Sequence, residues 1–355
     1  MRGWRIAKVL GIGIYIDPSW VLIFLFLVWS LSTSFFAPQL NGGRFRSQPN
    51  VESIALAVVA SLLLFVSVLL HELGHSVVAQ YFKIPVLSIT LFIFGGVAQI
   101  ADEPDRPRVE FLIAIAGPIV SALLAVTFAI FWVWPLGAES LLPGWLSVLK
   151  PIALMGQYLT LSNASLALFN LLPGFPLDGG RVLRSILWWR TKKLTLATQI
   201  AMYVGRVIAV ILIGIGLSSL VFPGIGLNGL LLALVGAFVW NAAGDAFAQV
   251  SWREELKQVR VSDIMVSNFP RVPDSLSLDD FVRQFVMTHR GSSFAVENNG
   301  TLSGLVDFSR VRQVPRTDWG RVRIRQVMAP LAGALRIQPE ASAYEAYQTL
   351  NRANA

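Results

Sequence analysis

The 355-residue sequence is 54% hydrophobic and only 14% charged, against roughly 25% charged residues in an ordinary soluble domain, so a water-soluble globule is excluded for most of its length. It contains no cysteine, which removes thiol catalysis, disulfides and thiolate metal sites together. The net charge of +8 is the balance expected beside anionic lipid and points to no nucleic-acid partner.

Residues 1 to 17 carry Ile12, Ile14 and Ile16 broken by Gly11 and Gly13, the pattern of a brief strand or hairpin. Six apolar segments then follow that can cross about 30 Å of hydrocarbon: Ser19 to Phe36, Val51 to Tyr81, Glu110 to Trp134, Leu149 to Leu172, Thr198 to Phe222 and Leu227 to Ala248. The first is preceded by Arg2, Arg5 and Lys8, but it is too long for a signal peptide and lacks a small-residue cleavage site, so it reads as a retained helix. With six spans the loops alternate sides. One side collects Arg2, Arg5, Lys8, Lys83, Arg106, Arg108, Arg181, Arg184, Arg190, Lys192 and Lys193, and the other only Arg44, Arg46 and Lys150. Both termini are therefore expected in the cytoplasm, with a bacterial-type cell membrane as the setting.

The second span closes on His71-Glu72-Leu73-Gly74-His75, an H-E-x-x-H string on a helix. Residues four apart lie one turn above each other, so His71 and His75 offer two imidazoles to one metal ion. Glu72, beside the first of them, is placed to take a proton from a metal-activated water and pass it to a leaving amine. Two of the three histidines in the chain are here, at the end of an apolar span where polar groups cost several kcal/mol unless compensated. A Zn2+ ion supplies that compensation, and a catalytic zinc site needs a third protein ligand.

Between the second and third spans, Ile84 to Ile100 is β-branched, too short to cross the bilayer, and interrupted by Gly95 and Gly96; it reads as strands dipping towards the membrane. Irregular backbone at that depth must line a cavity, although Gly-Gly also marks ordinary turns. In the third span Ala116-Gly117-Pro118 fits a helix kink with close packing at Gly117. After the fourth span comes Asn170-Leu171-Leu172-Pro173-Gly174-Phe175-Pro176-Leu177-Asp178-Gly179-Gly180. Its Pro and Gly residues break the helix and free the backbone to aim Asp178 inward as the third ligand; the alternative is a helix N-cap. Asn170 equally suits an interhelical hydrogen bond. Arg206 in the fifth span is expected to snorkel or to pair with a carboxylate such as Asp245. His289 reads as a surface residue.

From Trp252 no stretch can span a membrane, and a second domain begins, giving a division into 1 to 250 and 251 to 355. Val261-Ser262-Asp263-Ile264-Met265 returns as Ile324-Arg325-Gln326-Val327-Met328, each followed by an amphipathic helix (Leu278 to Met287, Ala341 to Leu350). The first copy adds strands at Ser293 to Glu297 and Leu302 to Val306. The second stops at Ala355, soon after its helix, and is expected to be cut short.

Taken together, His71, Glu72 and His75 with Asn170, Pro173, Leu177, Asp178 and Gly179 resemble the site-2 protease family, over roughly residues 1 to 250, and Ala116-Gly117-Pro118 also matches a pattern of that family. The order of elements after residue 251 resembles a pair of cystathionine β-synthase (CBS) domains. The fold class implied is a mainly α polytopic membrane protein of six transmembrane helices with a short membrane-associated β region, followed by a C-terminal α/β CBS-like domain. The resemblance implies an intramembrane zinc metalloprotease. In it His71, His75 and Asp178 hold zinc, Glu72 is the general base, Asn170 positions the substrate carbonyl or oxyanion, and the Gly95-Gly96 edge pairs with an unwound substrate. Its partners would be a membrane-protein substrate such as a membrane-tethered transcription regulator or anti-sigma factor, the lipid bilayer, and a second copy through CBS contacts. In Gly304-Leu305-Val306-Asp307-Phe308-Ser309-Arg310 a charge of the wrong sign stands where a CBS ligand string needs Thr or Ser, which argues against nucleotide binding. The competing class is a CBS-gated metal-ion transporter or channel, which has no use for the glutamate of H-E-x-x-H.

Overall fold

The computed structural model describes residues 3–40, 48–100, 104–141, 145–218, 226–267, 269–288 and 293–354. His289, Arg44 and Arg46 lie outside the described residues. The chain divides into two compact units, Met1–Val250 and Ser251–Ala355.

The first unit opens with a hairpin, β1 (Trp4–Val9) and β2 (Ile12–Ile16), turned at Leu10 and Gly11, both with positive φ. The first span is α1 (Ser19–Ser30), which runs on through a π-helical stretch (Leu31–Phe36) into α2 (Ala37–Leu40). Then α3 (Val51–Tyr81) starts from a reciprocal cap, Ser53 N donating to Asn50 Oδ1 at 2.8 Å and Asn50 N to Ser53 Oγ at 3.0 Å, which satisfies two of the end donors that a helix otherwise leaves open. Strands β3 (Val86–Phe92) and β4 (Gly95–Ile100) precede α4 (Pro107–Leu141), α5 (Trp145–Asn170), α6 (Asp178–Thr191), α7 (Leu194–Ser218) and α8 (Gly226–Gln258).

Among the described residues, six helical segments are long and apolar enough to cross a membrane: Ser19–Leu40, Val51–Tyr81, Pro107–Pro135, Leu149–Asn170, Leu194–Ser218 and Gly229–Gln258. The last runs well beyond Ala248, because its polar continuation keeps helical hydrogen bonding after the apolar pattern ends. α6 is not one of the six; it is the amphipathic helix between the fourth and fifth.

The buried stripe of α3 is mostly small and polar, with Ser53, Ala57, Ala60, Ser61, Ser67, His71, His75, Ser76 and Ala79 and one large side chain, Phe65. Helices in lipid gain little from burying large apolar groups, so small residues that allow close backbone approach hold them together. Gly74 illustrates this: a Cβ there would meet Val120 Cγ2 at 2.9 Å and the Ala116 carbonyl oxygen at 3.2 Å, so α3 and α4 touch across it.

The four strands form one sheet in the order β1-β2-β3-β4, with β2 and β3 parallel and the two outer pairs antiparallel. Ile12 and Ile89 turn inward and pack with Ala79 of α3 and Ile113 of α4. The sheet is thereby fastened to the two helices that surround the histidines, and β4 is left as an edge strand.

In the second unit, a sheet of order β5-β6-β7-β8 is built from Arg271–Pro273, Ser293–Asn298, Thr301–Asp307 and Ala329–Pro330. Short helices α9 (Val261–Ile264), α10 (Leu278–Phe281) and α11 (Phe308–Val311) and the longer α12 (Ala343–Asn354) complete it. Its core holds Val272, Phe281, Phe294, Val306 and Ile324, all fully buried. The two echoing strings dock reciprocally. Val261 N donates to Ala341 O at 2.9 Å, ahead of the second amphipathic helix, and Ile324 N to Leu276 O at 3.0 Å, ahead of the first.

Candidate metal centre

Three side chains from two distant helices converge. His71 and His75 project from adjacent turns of α3, and Asp178 is the first residue of α6. Asp178 Oδ2 lies 3.1 Å from His71 Nε2 and 3.2 Å from His75 Nε2, and the two Nε2 atoms are 3.3 Å apart. A tetrahedron whose corners are about 2.0 to 2.1 Å from its centre has edges of about 3.3 Å. The three atoms thus have the spacing of one face of a tetrahedral zinc site. Asp178 makes no cap hydrogen bond; the cap position belongs to Leu177, so the N-cap alternative does not hold.

The opposite ring nitrogens set which face of each imidazole is free. His75 Nδ1 donates to the carbonyl oxygen of Ile113 at 2.7 Å, and His71 Nδ1 lies 2.9 Å from Ser121 Oγ, both partners on α4. With Nδ1 protonated against these oxygens, each Nε2 presents a lone pair to the centre, the outer-shell arrangement typical of metal-binding histidines. A carboxylate ligand binds as the anion, so Asp178 would bring one negative charge to the centre.

Gly117 keeps the centre open. A Cβ there would stand 2.2 Å from His75 Nε2 and 2.8 Å from His71 Nε2, so any side chain would occupy the space into which both lone pairs point. The sequence suggests a kink with close packing, or a family string, at this position; the structure puts the packing against the ligand pair itself. The donor set of two imidazoles and a carboxylate, together with this glycine-lined space, fits a zinc ion.

Asp178 is fixed by the way α6 is held. Gly179 and Gly180 at its start have no room for a Cβ, which would fall 2.2 Å from the Leu171 carbonyl oxygen and 2.4 Å from Gly174 C. Further along, Arg184 donates to Glu110 of α4 through Nε at 2.6 Å and also through Nη2, with both residues at least 95% buried. Arg184 is thus not a loop cation, as its place in the sequence suggests, but the inner half of an ion pair. Arg206 also departs from expectation: its guanidinium lies 4.9 Å from the Trp240 ring centre, with no ion pair to Asp245. Trp240 offers a π-face deep in the membrane, where a cation gains most from one.

Beside the three ligand candidates lies a cavity of about 330 Å³. Glu72, Gly95, Gly96, Asn170 and Arg181 all line it. Glu72 sits against β4: a Cβ on Gly96 would come within 2.6 Å of Glu72 Cγ, and the Ala98 N–H is directed at the carboxylate. The interhelical hydrogen bond suggested for Asn170 is made instead by Asn163, whose amide reaches Ser67 of α3 at 3.3 Å. Phe94, in the β3–β4 turn, stacks on Phe238 of α8 with ring centres 4.7 Å apart, closing one side of the cavity with an apolar wall. Ser121, the Ile113 carbonyl and Arg181 had no motif to announce them. Helical spacing offers a partial signal for one of them, since Arg181 follows Asp178 by three residues and shares its face.

Comparison with known proteins bears on the chain as a whole. The model of peptidase family M50 matches residues 59–142 and 144–212. The chain is 33% identical over 331 residues to the putative zinc metalloprotease Rip3 of Mycobacterium tuberculosis, covering 92% of this chain and 80% of that protein. The chain belongs to peptidase family M50. It is an integral, multi-pass membrane peptidase. This M50 chain is also 32% identical over 357 residues to the putative zinc metalloprotease sll0528 of Synechocystis, covering 98% and 87% of the two. A solved site-2 protease from Methanocaldococcus jannaschii aligns with it at a TM-score of 0.46 and 31% identity, over 69% of this chain and 95% of that one. Family membership sets the transporter reading aside.

Proposed function

We propose that this peptidase is an intramembrane zinc metalloprotease in which His71, His75 and Asp178 hold the ion, Glu72 is the general base, and an extended segment of a membrane protein is cut at the edge of β4. The observation that carries the reading is the triangle of ligand atoms at 3.1 to 3.3 Å with Glu72 on the adjoining cavity. Bound there, zinc supplies Lewis acidity towards a carbonyl oxygen and brings the pKa of water to about 7.

The remaining work falls to the chain. Glu72 accepts the proton of the attacking water and returns it to the leaving amine, as the only carboxylate among the described residues that lines the cavity besides Asp178. A transmembrane substrate helix hides its peptide bonds in its own hydrogen bonds. β4 is an edge strand to which, among the described residues, no second strand is paired, so an unwound segment can add to it and present one carbonyl to the centre. Gly96, without a side chain, lets that segment and Glu72 share the space. Asn170 lines the same cavity and is positioned to orient the carbonyl. The sheet and the Phe94–Phe238 wall limit bulk water around the reacting bond, which strengthens every charge interaction there.

The second unit reads as a CBS-like pair in the cytoplasm. Support comes from the reciprocal docking of its two strings. Asp307 caps α11, accepting from Arg310 N at 3.0 Å and from the Ser309 hydroxyl, and is committed to the fold rather than to a phosphate. The unit suits docking or self-association, and a membrane-tethered transcription regulator or anti-sigma factor is the substrate class that fits a cytoplasmic release product.

The test is cleavage of a single-pass protein by the full chain in lipid nanodiscs. Glu72→Gln should retain one zinc per chain while losing about 10²- to 10⁴-fold in rate. Undiminished cleavage by Glu72→Gln would overturn the assignment.

A further inference from the structure

A second concavity, of about 310 Å³, lies between α4 and α6 and outside the catalytic cavity. Its walls are Arg108, Phe111 and Leu112 of α4 and Ser185, Ile186 and Trp189 of α6. Three of these are large apolar side chains left well exposed: Trp189 at 54%, Leu112 at 45% and Ile186 at 43%. The hydroxyl of Ser185 is turned back onto the Val182 carbonyl at 2.7 Å, so the wall makes no polar demand on an occupant.

The helix ends that carry these walls are the opposite in character, and Arg108 itself lines the groove. Arg106 and Arg108 stand at the start of α4, and Arg190, Lys192 and Lys193 at the end of α6 and just beyond, all exposed. No carboxylate among the described residues forms an ion pair with any of them. Depth fixes what meets this surface. The third candidate span begins at Pro107, and by that boundary Arg108 stands at headgroup level with Phe111 and Leu112 about one turn deeper. Trp189 supplies the amphipathic aromatic ring favoured at that interface. An apolar trough with Arg108 in its wall, and with Arg190 one turn beyond the lining residue Ile186 on α6, is complementary at the boundary between headgroups and hydrocarbon to one kind of molecule.

We propose that the α4–α6 groove is a binding site for an anionic phospholipid, one acyl chain lying along Phe111, Leu112, Ile186 and Trp189 and the phosphate received by Arg108 and Arg190. A zwitterionic lipid offers the same chain but brings its own cation to the rim. The rim therefore discriminates by headgroup charge. Each cation at a membrane surface favours an anionic lipid by about fivefold, so two of them give roughly thirtyfold.

The experiment is native mass spectrometry of the full chain released from nanodiscs containing equal amounts of phosphatidylglycerol and phosphatidylcholine. Wild type should retain one phosphatidylglycerol at least about tenfold more often than phosphatidylcholine. Arg108→Gln with Arg190→Gln should abolish the preference by removing the receivers of the phosphate. Ile186→Trp should lose the bound lipid by filling the trough while keeping every cation. Lys83→Gln, which removes an exposed cation elsewhere, should behave as wild type. Equal retention of the two lipids by wild type, or retention by both groove variants at the wild-type level, would overturn the proposal and reduce the groove to bulk lipid contact.

Discussion

Gly117 and Gly96 govern the chemistry by what they lack. With a methyl group at position 117 falling 2.2 Å from His75 Nε2, Gly117→Ala should leave the helices assembled yet bring bound zinc, measured by inductively coupled plasma analysis, below about a tenth of the wild-type content. Gly96→Ala acts on the neighbouring group. Its methyl would sit 2.6 Å from Glu72 Cγ and displace the base, so zinc should stay bound while the cleavage rate falls about a hundredfold or more. Zinc loss in the second variant, or its retention in the first, would mean that these glycines serve packing alone. At this scale the sequence is informative wherever local spacing carries the signal: His71 and His75 share a face by helical geometry, and Asp178 stands out as a carboxylate freed by Pro and Gly. Ser121 and the Ile113 carbonyl come from another helix, and nothing in their own neighbourhood marks them; Ala116-Gly117-Pro118 marks Gly117 without revealing that it faces the ligand pair.

Helix α6 connects ligand placement to the membrane bundle. Its inner face is tied to α4 by the buried Arg184–Glu110 pair, and removing one partner leaves a charge without compensation in a low-dielectric setting. Glu110→Leu or Arg184→Leu alone should each destabilise the protein by about 3 to 5 kcal/mol, whereas the double substitution should recover much of that loss. Thermal unfolding of the four proteins in one detergent provides the measurement, and additive losses would contradict it. The spans themselves are legible in hydropathy because lipid imposes about 20 apolar residues on any crossing helix. Their polar ends are less so, since α8 continues to Gln258 by backbone hydrogen bonding that composition does not reveal. Arg184, grouped with loop cations by its position in the chain, is buried because α6 folds back along α4, a tertiary fact without local periodicity. Arg206 similarly found an aromatic face where a carboxylate was expected.

The whole molecule is an M50 peptidase with six candidate spans among the described residues and a compact second unit. Its lack of cysteine makes the orientation open to a clean test. If both termini are cytoplasmic, Lys83→Cys should react with an impermeant maleimide only from the cytoplasmic face and Val51→Cys only from the other; the reverse pattern would invert the topology. In the second unit the echo of Val261 and Ile324 is legible in sequence, and their reciprocal docking on Ala341 and Leu276 becomes visible only when the strings meet in space. With Asp307 engaged as a cap, AMP or ATP should leave the unfolding temperature of the full chain unchanged, and a clear rise on adding either would contradict that view. The convergence of α3 and α6 on one ion is tested most directly by zinc X-ray absorption on wild type and Asp178→Ala. Wild type should show two imidazole nitrogens and a carboxylate oxygen at about 2.0 to 2.2 Å, and the variant should lose the oxygen or the zinc. An unchanged spectrum and zinc content in Asp178→Ala would contradict the account.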